Sequence, residues 1–167
     1  QQEGGAQRLL DLCPFVDLVF GTHNLYRLPE LLLRALRGQP VRETDGDERG
    51  CIPEGLPVRR TSAIQGALTI MYGCNNFCTY CVVPYVRGRE RSRSVADVVR
   101  EAESMAASGI QEILLLGQNV NSYAGGATFP ELLRALDGVV PRIRFMTSHP
   151  KDLSDALIEE MARTRSR

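Results

Sequence analysis

The hydrophobic positions change period several times along the chain, and each change marks an element. Leu9, Leu10 and Leu12 fall in a helix-like context over Glu3 to Cys13, ended by Pro14, which cannot continue a helix. The run FVDLVFG, Phe15 to Gly21, alternates and is rich in Val and Phe, the pattern of a buried strand. LPELLLRAL carries Pro29 where a first helical turn tolerates it and stops at Gly38. These segments predict a helix–strand–helix piece of an α/β layer. From Glu43 to Pro57 (ETDGDERGCIPEGLP) the apolar period disappears, and the acidic, Gly- and Pro-rich text reads as an interdomain linker or long surface loop.

Beyond it the pattern becomes repetitive. ALTIMYG, Ala67 to Gly73, predicts a strand. Ser94 with Asp97 offers an N-cap and a capping-box-like pair. Val95, Val98, Val99, Ala102, Met105 and Ala106 then recur at helical spacing up to Gly109. IQEILLLG is a second strand, whose unbroken leucines suit burial on both faces of a parallel sheet. FPELLRALDG predicts a helix, RIRFMTS a strand and LSDALIEEMA a helix. The order β-α-β-α-β-α argues for parallel strands with helices outside. Three such units do not close a barrel. Gln1 in place of Met, and the open ending at Arg167, read as the edges of an internal fragment.

Composition narrows the class without changing this picture. With 43% hydrophobic and 24% charged residues the chain is a soluble globular one, with no apolar run of membrane-spanning length and no signal-like start. The formal charge of zero excludes a global electrostatic pull on nucleic acid. Positive charge is nevertheless concentrated: Arg59, Arg60, Arg87, Arg89, Arg91 and Arg93 are opposed over that stretch only by Glu90. The run RGRERSRS has two readings, contact with a carboxylate or with phosphates, or a solvated loop in which Ser94 simply caps the next helix. The paired carboxylates Glu159–Glu160 and Glu101/Glu103 lie on predicted helices and read as solvated faces.

The chemistry is concentrated in GCNNFCTYC, which places Cys74, Cys78 and Cys81 in the spacing C-x3-C-x2-C directly after a predicted strand. Functional loops of parallel α/β sheets gather at that end of the strands. An odd cysteine count of five and the absence of a targeting segment suit a reducing compartment, the cytoplasm, where clustered thiols are metal ligands. Structural zinc takes four protein ligands, and ferredoxin-type clusters take four cysteines. Three thiolates on a 4Fe–4S cubane leave one iron open to a substrate. From the residues alone a zinc site completed by His23 or His149 stays open, as does an incidental thiol cluster. Cys13 reads as a small hydrophobe at a helix end and Cys51 as a loop thiol, neither with a ligand role.

The cysteine loop, with aromatic Tyr80 before its last cysteine, resembles that of the radical S-adenosylmethionine enzymes. The longer texts GCNNFCTYCVVPYVRGRERSRS, EILLLGQNVNSY and RIRFMTSHPKD are similar to the methylthiotransferases of that superfamily, in particular to those that act on tRNA, and FVDLVFGTHNLYRLPELL looks like the end of that family's N-terminal domain. The resemblance implies an α/β fold: residues 1–42 as the end of a small N-terminal domain, 43–60 as a linker, and 61–167 as the first part of a partial (β/α) barrel. It implies Cys74, Cys78 and Cys81 as ligands of a 4Fe–4S cluster whose open iron takes S-adenosylmethionine, so that a 5′-deoxyadenosyl radical forms. Tyr80 is then expected near the adenine, and Gln118 and Asn119, after the second strand, near the methionyl group. His149 is expected to be structural.

The implied activity adds a methylthio group to carbon 2 of N6-isopentenyladenosine beside the tRNA anticodon, with flavodoxin or ferredoxin as electron donor and no membrane. A second, auxiliary 4Fe–4S cluster is expected in the full-length protein only, since QQEGGAQRLL looks like the text just after the last of its three cysteines, and the fragment alone is expected to be inactive. Two rival expectations stand beside this one: a ribosomal-protein aspartate methylthiotransferase, disfavoured by Gly117-Gln118-Asn119 and the NVNSY continuation, and a non-catalytic, metal-stabilised RNA-binding module.

Overall fold

A computed structural model describes residues 5–44 and 52–166. The chain divides into two compact units, one of Gln1–Leu56 with Tyr85–Arg87 and one of Pro57–Pro84 with Gly88–Arg167. In the first unit α1 (Gly5–Leu12) and α2 (Leu28–Leu36) accompany a parallel pair, β1 (Leu18–Phe20) and β2 (Val41–Glu43), with Leu18 opposite Val41 and Phe20 opposite Glu43. Pro29 stands in the first turn of α2, and Gly38 follows the helix at a φ of 75°, as expected of a helix C-terminal glycine. Leu31 and Val41 are its buried anchors. Glu43 closes the unit electrostatically, accepting from Arg27 at 3.3 Å and Arg34 at 3.2 Å. The strand β2 was missed in the sequence, and it carries Glu43 out of the stretch read as linker.

The second unit is built on a parallel sheet in the order β3–β6–β7, formed by Gln65–Thr69, Glu112–Leu116 and Arg142–Phe145. Both pairings are parallel, with Leu68 opposite Leu115 and Ile113 opposite Ile143. The crossovers are α4 (Val95–Ala107) and α5 (Phe129–Leu136), and α6 (Asp155–Arg163) follows β7. The predicted strand over Ala67–Gly73 is broken: β3 ends at Thr69, and Met71–Tyr72 form β4, which pairs antiparallel with β5 (Arg91–Ser92). Within β6, Ile113 and Leu115 are buried while their neighbours are half-buried, so only one face is fully covered.

The helix signals act as the sequence implies. Ser94 Oγ accepts from the Asp97 amide at 3.1 Å, and Thr128 with Glu131 forms a capping box in front of Pro130. The apolar stripe of α4 buries Val98, Ala102 and Met105 against the sheet, with Val95, Val99 and Ala106 packed at its margin. Met105 Cε lies 2.3 Å from where a Cβ on Gly66 would stand, so the end of the methionine side chain fills the space that the glycine leaves. Phe129 and Phe145 pack edge-to-face with centroids 5.1 Å apart, a favoured aromatic geometry.

Arg93 departs from the expectation for its run. It is 7% exposed, donates to the Thr69 carbonyl at 2.8 Å and pairs with Glu101, which also holds Arg60. It is an internal strut, whereas Arg87 and Arg89 are exposed.

Tyr123 is buried, and its hydroxyl donates to the Arg93 carbonyl at 2.8 Å. Burial pushes its pKa up to about 12. A raised folded-state value means the native form holds its proton longer than the unfolded chain. That contribution is intact below the ordinary value of 10.0 and is lost as pH rises through about 12. Tyr123→Phe is expected to cost about 1–2 kcal/mol, the worth of a buried hydrogen bond with its acceptor left unpaired, and to flatten the alkaline fall. Urea midpoints on either side of that window check both effects.

Candidate metal centre

The cysteine loop is an excursion whose two ends are fastened together. It leaves β4 and returns through α3 (Val83–Arg87) to β5, the partner of β4. Gly73 makes the exit at a φ of 73°, and the Cys74 amide donates to the Gly88 carbonyl at 3.1 Å. Asn75 and Glu90 then clasp one another: the Asn75 amide donates to Glu90 Oε1 at 3.2 Å, and the Glu90 amide to Asn75 Oδ1 at 3.2 Å. Ser122 Oγ, from the segment after β6, donates to the same carboxylate at 2.9 Å.

Inside this frame the three thiols share one loop. Cys74 is buried, and the Asn76 amide donates to its Sγ at 3.4 Å. Cys78 and Cys81 are half-buried and joined by a turn, Cys81 N–H to Cys78 C=O at 2.9 Å. All three are free thiols. Among the described residues no group of three or more His, Cys, Asp or Glu side chains is drawn together as a single-ion site. Cys13 is a half-buried thiol of the first unit; Cys51 lies outside the described residues.

The other expected residues separate in role. Tyr80 is 94% exposed, so its ring stands in solvent while its backbone lies inside the Cys78–Cys81 turn. Asn119 is 1% exposed and uses both ends of its amide within the protein, accepting from the His149 amide at 2.9 Å and donating to Asp152 Oδ2 at 2.6 Å. It braces the turn that follows β7 against the segment after β6. Gln118 is different: its Oε1 is buried with no hydrogen-bonding partner, as are Asn121 Oδ1 in the same segment and Asn76 Nδ2 in the cysteine loop. Native structures pair nearly all such atoms. Two unpaired acceptors in the segment after β6 and an unpaired donor in the cysteine loop fit a polar ligand.

His149, in the sequence a candidate fourth zinc ligand and otherwise expected to be structural, faces the cysteine loop. Its Nε2 lies 3.7 Å from Cys78 Sγ. The preceding backbone is unusual: Thr147 has a φ of 65°, rare for a β-branched residue, and its Oγ1 donates to the Gly117 carbonyl at 2.6 Å. The Val120 amide donates back to the Thr147 carbonyl at 3.1 Å. These bonds lock the end of β7 to the end of β6 and aim His149 at the loop. The only trace in the sequence was a histidine at a strand end, 71 residues from its partner.

The model of the Radical SAM superfamily matches residues 68–166, which take in the end of β3, the cysteine loop, β6, β7 and the helices α3 to α6. The chain belongs to the radical SAM superfamily. Among curated proteins it is similar to tRNA-2-methylthio-N(6)-dimethylallyladenosine synthase of Alkaliphilus oremlandii, 58% identical over 153 residues, covering 88% of this chain and 32% of the relative. The enzyme of that name from Clostridium perfringens is 53% identical over 165 residues, covering 95% and 37%. The chain thus spans about a third of the length of the curated relatives it matches. A solved structure of the radical S-adenosylmethionine methyltransferase TsrM from Kitasatospora setae aligns with a TM-score of 0.49 at 28% identity, over 59% of this chain and 20% of that one.

Proposed function

We propose that this chain is the cluster-bearing part of a tRNA methylthiotransferase that acts on carbon 2 of N6-isopentenyladenosine, with Cys74, Cys78 and Cys81 as the three protein ligands of a 4Fe–4S cluster. The observation that carries the reading is the thiol trio on one loop after β4, inside the matched superfamily region. The relatives' names supply the substrate class. Residues 1–42, with Glu43 at the end of β2, are then the end of the N-terminal domain, the rest of 43–60 a linker, and 61–167 the first part of the core domain. S-adenosylmethionine, tRNA and a flavodoxin- or ferredoxin-type electron donor are the partners, an auxiliary cluster belongs to the full-length protein, and the setting is cytoplasmic. Among the described residues no helix is long and apolar enough to cross a membrane.

When bound, such a cluster supplies the electron that cleaves S-adenosylmethionine. The chain's own residues do the rest. The Glu90–Asn75 clasp and the Cys74–Gly88 hydrogen bond set the loop's path. Gln118 Oε1 offers an acceptor suited to an ammonium group. Met71 and Val120 close in beneath Gly117 and give that wall an apolar floor.

The approach of His149 to Cys78 raises a second reading, zinc held by three cysteines and a histidine, although among the described residues no three such side chains are drawn together around one point. Ligands at about 2.3 Å and about 2.0 Å from a tetrahedral ion stand about 3.5 Å apart, near the 3.7 Å found here. Anaerobic reconstitution with iron and sulfide separates the two. The enzyme reading expects about four irons per chain and an electron paramagnetic resonance spectrum that changes on adding S-adenosylmethionine. Stoichiometric zinc, with a site indifferent to S-adenosylmethionine, would overturn it.

A further inference from the structure

We propose that His149 is a positioning residue for the cluster: its Nε2–H donates a hydrogen bond to the sulfur of Cys78 and so raises the reduction potential of the iron held there. The inference rests on the cluster reading above and extends it to a residue outside the cysteine motif. The tautomer follows from the hydrogen bonds. His149 Nδ1 accepts from the Lys151 amide at 3.2 Å, which leaves the ring proton of a neutral imidazole on Nε2, and Nε2 faces Cys78 Sγ at 3.7 Å, a normal reach for a bond to sulfur.

The ring is held in place from behind. Asn119, buried and tied to Asp152, accepts from the His149 amide, and the turn Pro150–Asp152 fixes the Nδ1 contact. A donor fixed in this way keeps its direction whatever the charge on sulfur. Hydrogen bonds to ligand sulfurs are among the levers that set cluster potentials, because a donor stabilises the more negative, reduced state more than the oxidised one. A second role is visible in the same geometry: through Nδ1 the side chain caps the Pro150–Asp152 turn, which alone would justify a histidine.

Two substitutions split these roles. His149→Asn retains an acceptor placed like Nδ1 but removes the donor that reaches sulfur. His149→Gln retains a donor placed like Nε2 but removes the cap. Each variant is reconstituted beside the parent chain, and iron content, S-adenosylmethionine response and midpoint potential are measured, the last by redox titration followed by electron paramagnetic resonance. The expected result is full iron in all three, with His149→Gln near the parent. In His149→Asn the equilibrium constant for reduction falls about tenfold, a shift of about 59 mV for one electron to more negative potential.

Equal potentials in all three proteins, or a shift that follows loss of the cap, would overturn the proposal. Loss of iron in both variants would overturn it too, since His149 would then be a ligand. A parent chain that forms no S-adenosylmethionine-responsive cluster marks failure of the cluster reading itself, so the two failures are distinguishable.

Discussion

Cys78→Ala is expected to leave the chain folded and unable to retain iron. Cys78 is half-buried, and the turn to Cys81 is closed by backbone groups that do not involve the sulfur. The loss of packing is therefore small, within the range of about 0.5 kcal/mol typical of sites without a buried role. The chemical loss is expected to be complete, because two thiolates alone do not hold a cubane. Iron should fall from about four per chain to none after desalting. Cys13→Ala, in the other unit, should load like the parent. Iron analysis with circular dichroism checks fold and metal together, and an unchanged cluster in Cys78→Ala would remove Cys78 from the ligand set.

The largest effect on stability is expected from Gly73→Ala. Residue 73 has a φ of 73°, and a Cβ there would stand 2.0 Å from the Arg89 carbonyl oxygen and 2.6 Å from that of Gly88. The left-handed conformation alone costs an L-residue about 1–2 kcal/mol. The overlap adds more, because both obstructing atoms are backbone and one, the Gly88 oxygen, is already engaged by the Cys74 amide. A total of at least about 3 kcal/mol is expected, in the range of severe single substitutions. The chain relieves it by opening the β4–β5 ribbon, so iron loading should drop with stability. Urea unfolding and iron content together test this; parent-like values for both would show that residue 73 tolerates a side chain.

Much of the scaffold was legible because it rests on local period. The α4 stripe from Val95 to Ala106, its Ser94 cap and the alternation of strands with helices all lie within short windows, and each formed where expected. The failures are pairings between distant segments. β2 is three residues beside an acidic, glycine-rich run, too short to show alternation, and it exists because it lies alongside β1. The break at Ile70 appears only once β5 comes to pair with β4; Ile70 itself still bonds to Leu116 on one side and Arg93 on the other.

The candidate site divides in the same manner. The spacing of Cys74, Cys78 and Cys81 is a statement about one loop and was readable outright. Arg93 looked like its exposed neighbours in the run because nothing nearby in the chain announces Glu101 and Thr69 as its partners. Asn119 and Gln118 are adjacent amides of similar chemistry. Only the fold shows that the first is fully bonded and the second is not.

The fastening of the cysteine loop has a consequence for how such a protein survives damage. Among the described residues, the ties named at its mouth are made by amides, carbonyls, a serine hydroxyl and one carboxylate, none of them by sulfur. Chelation therefore empties a cup whose rim stays standing. Putting the inorganic part back is a repair in place, with no need to melt and rebuild the chain around it.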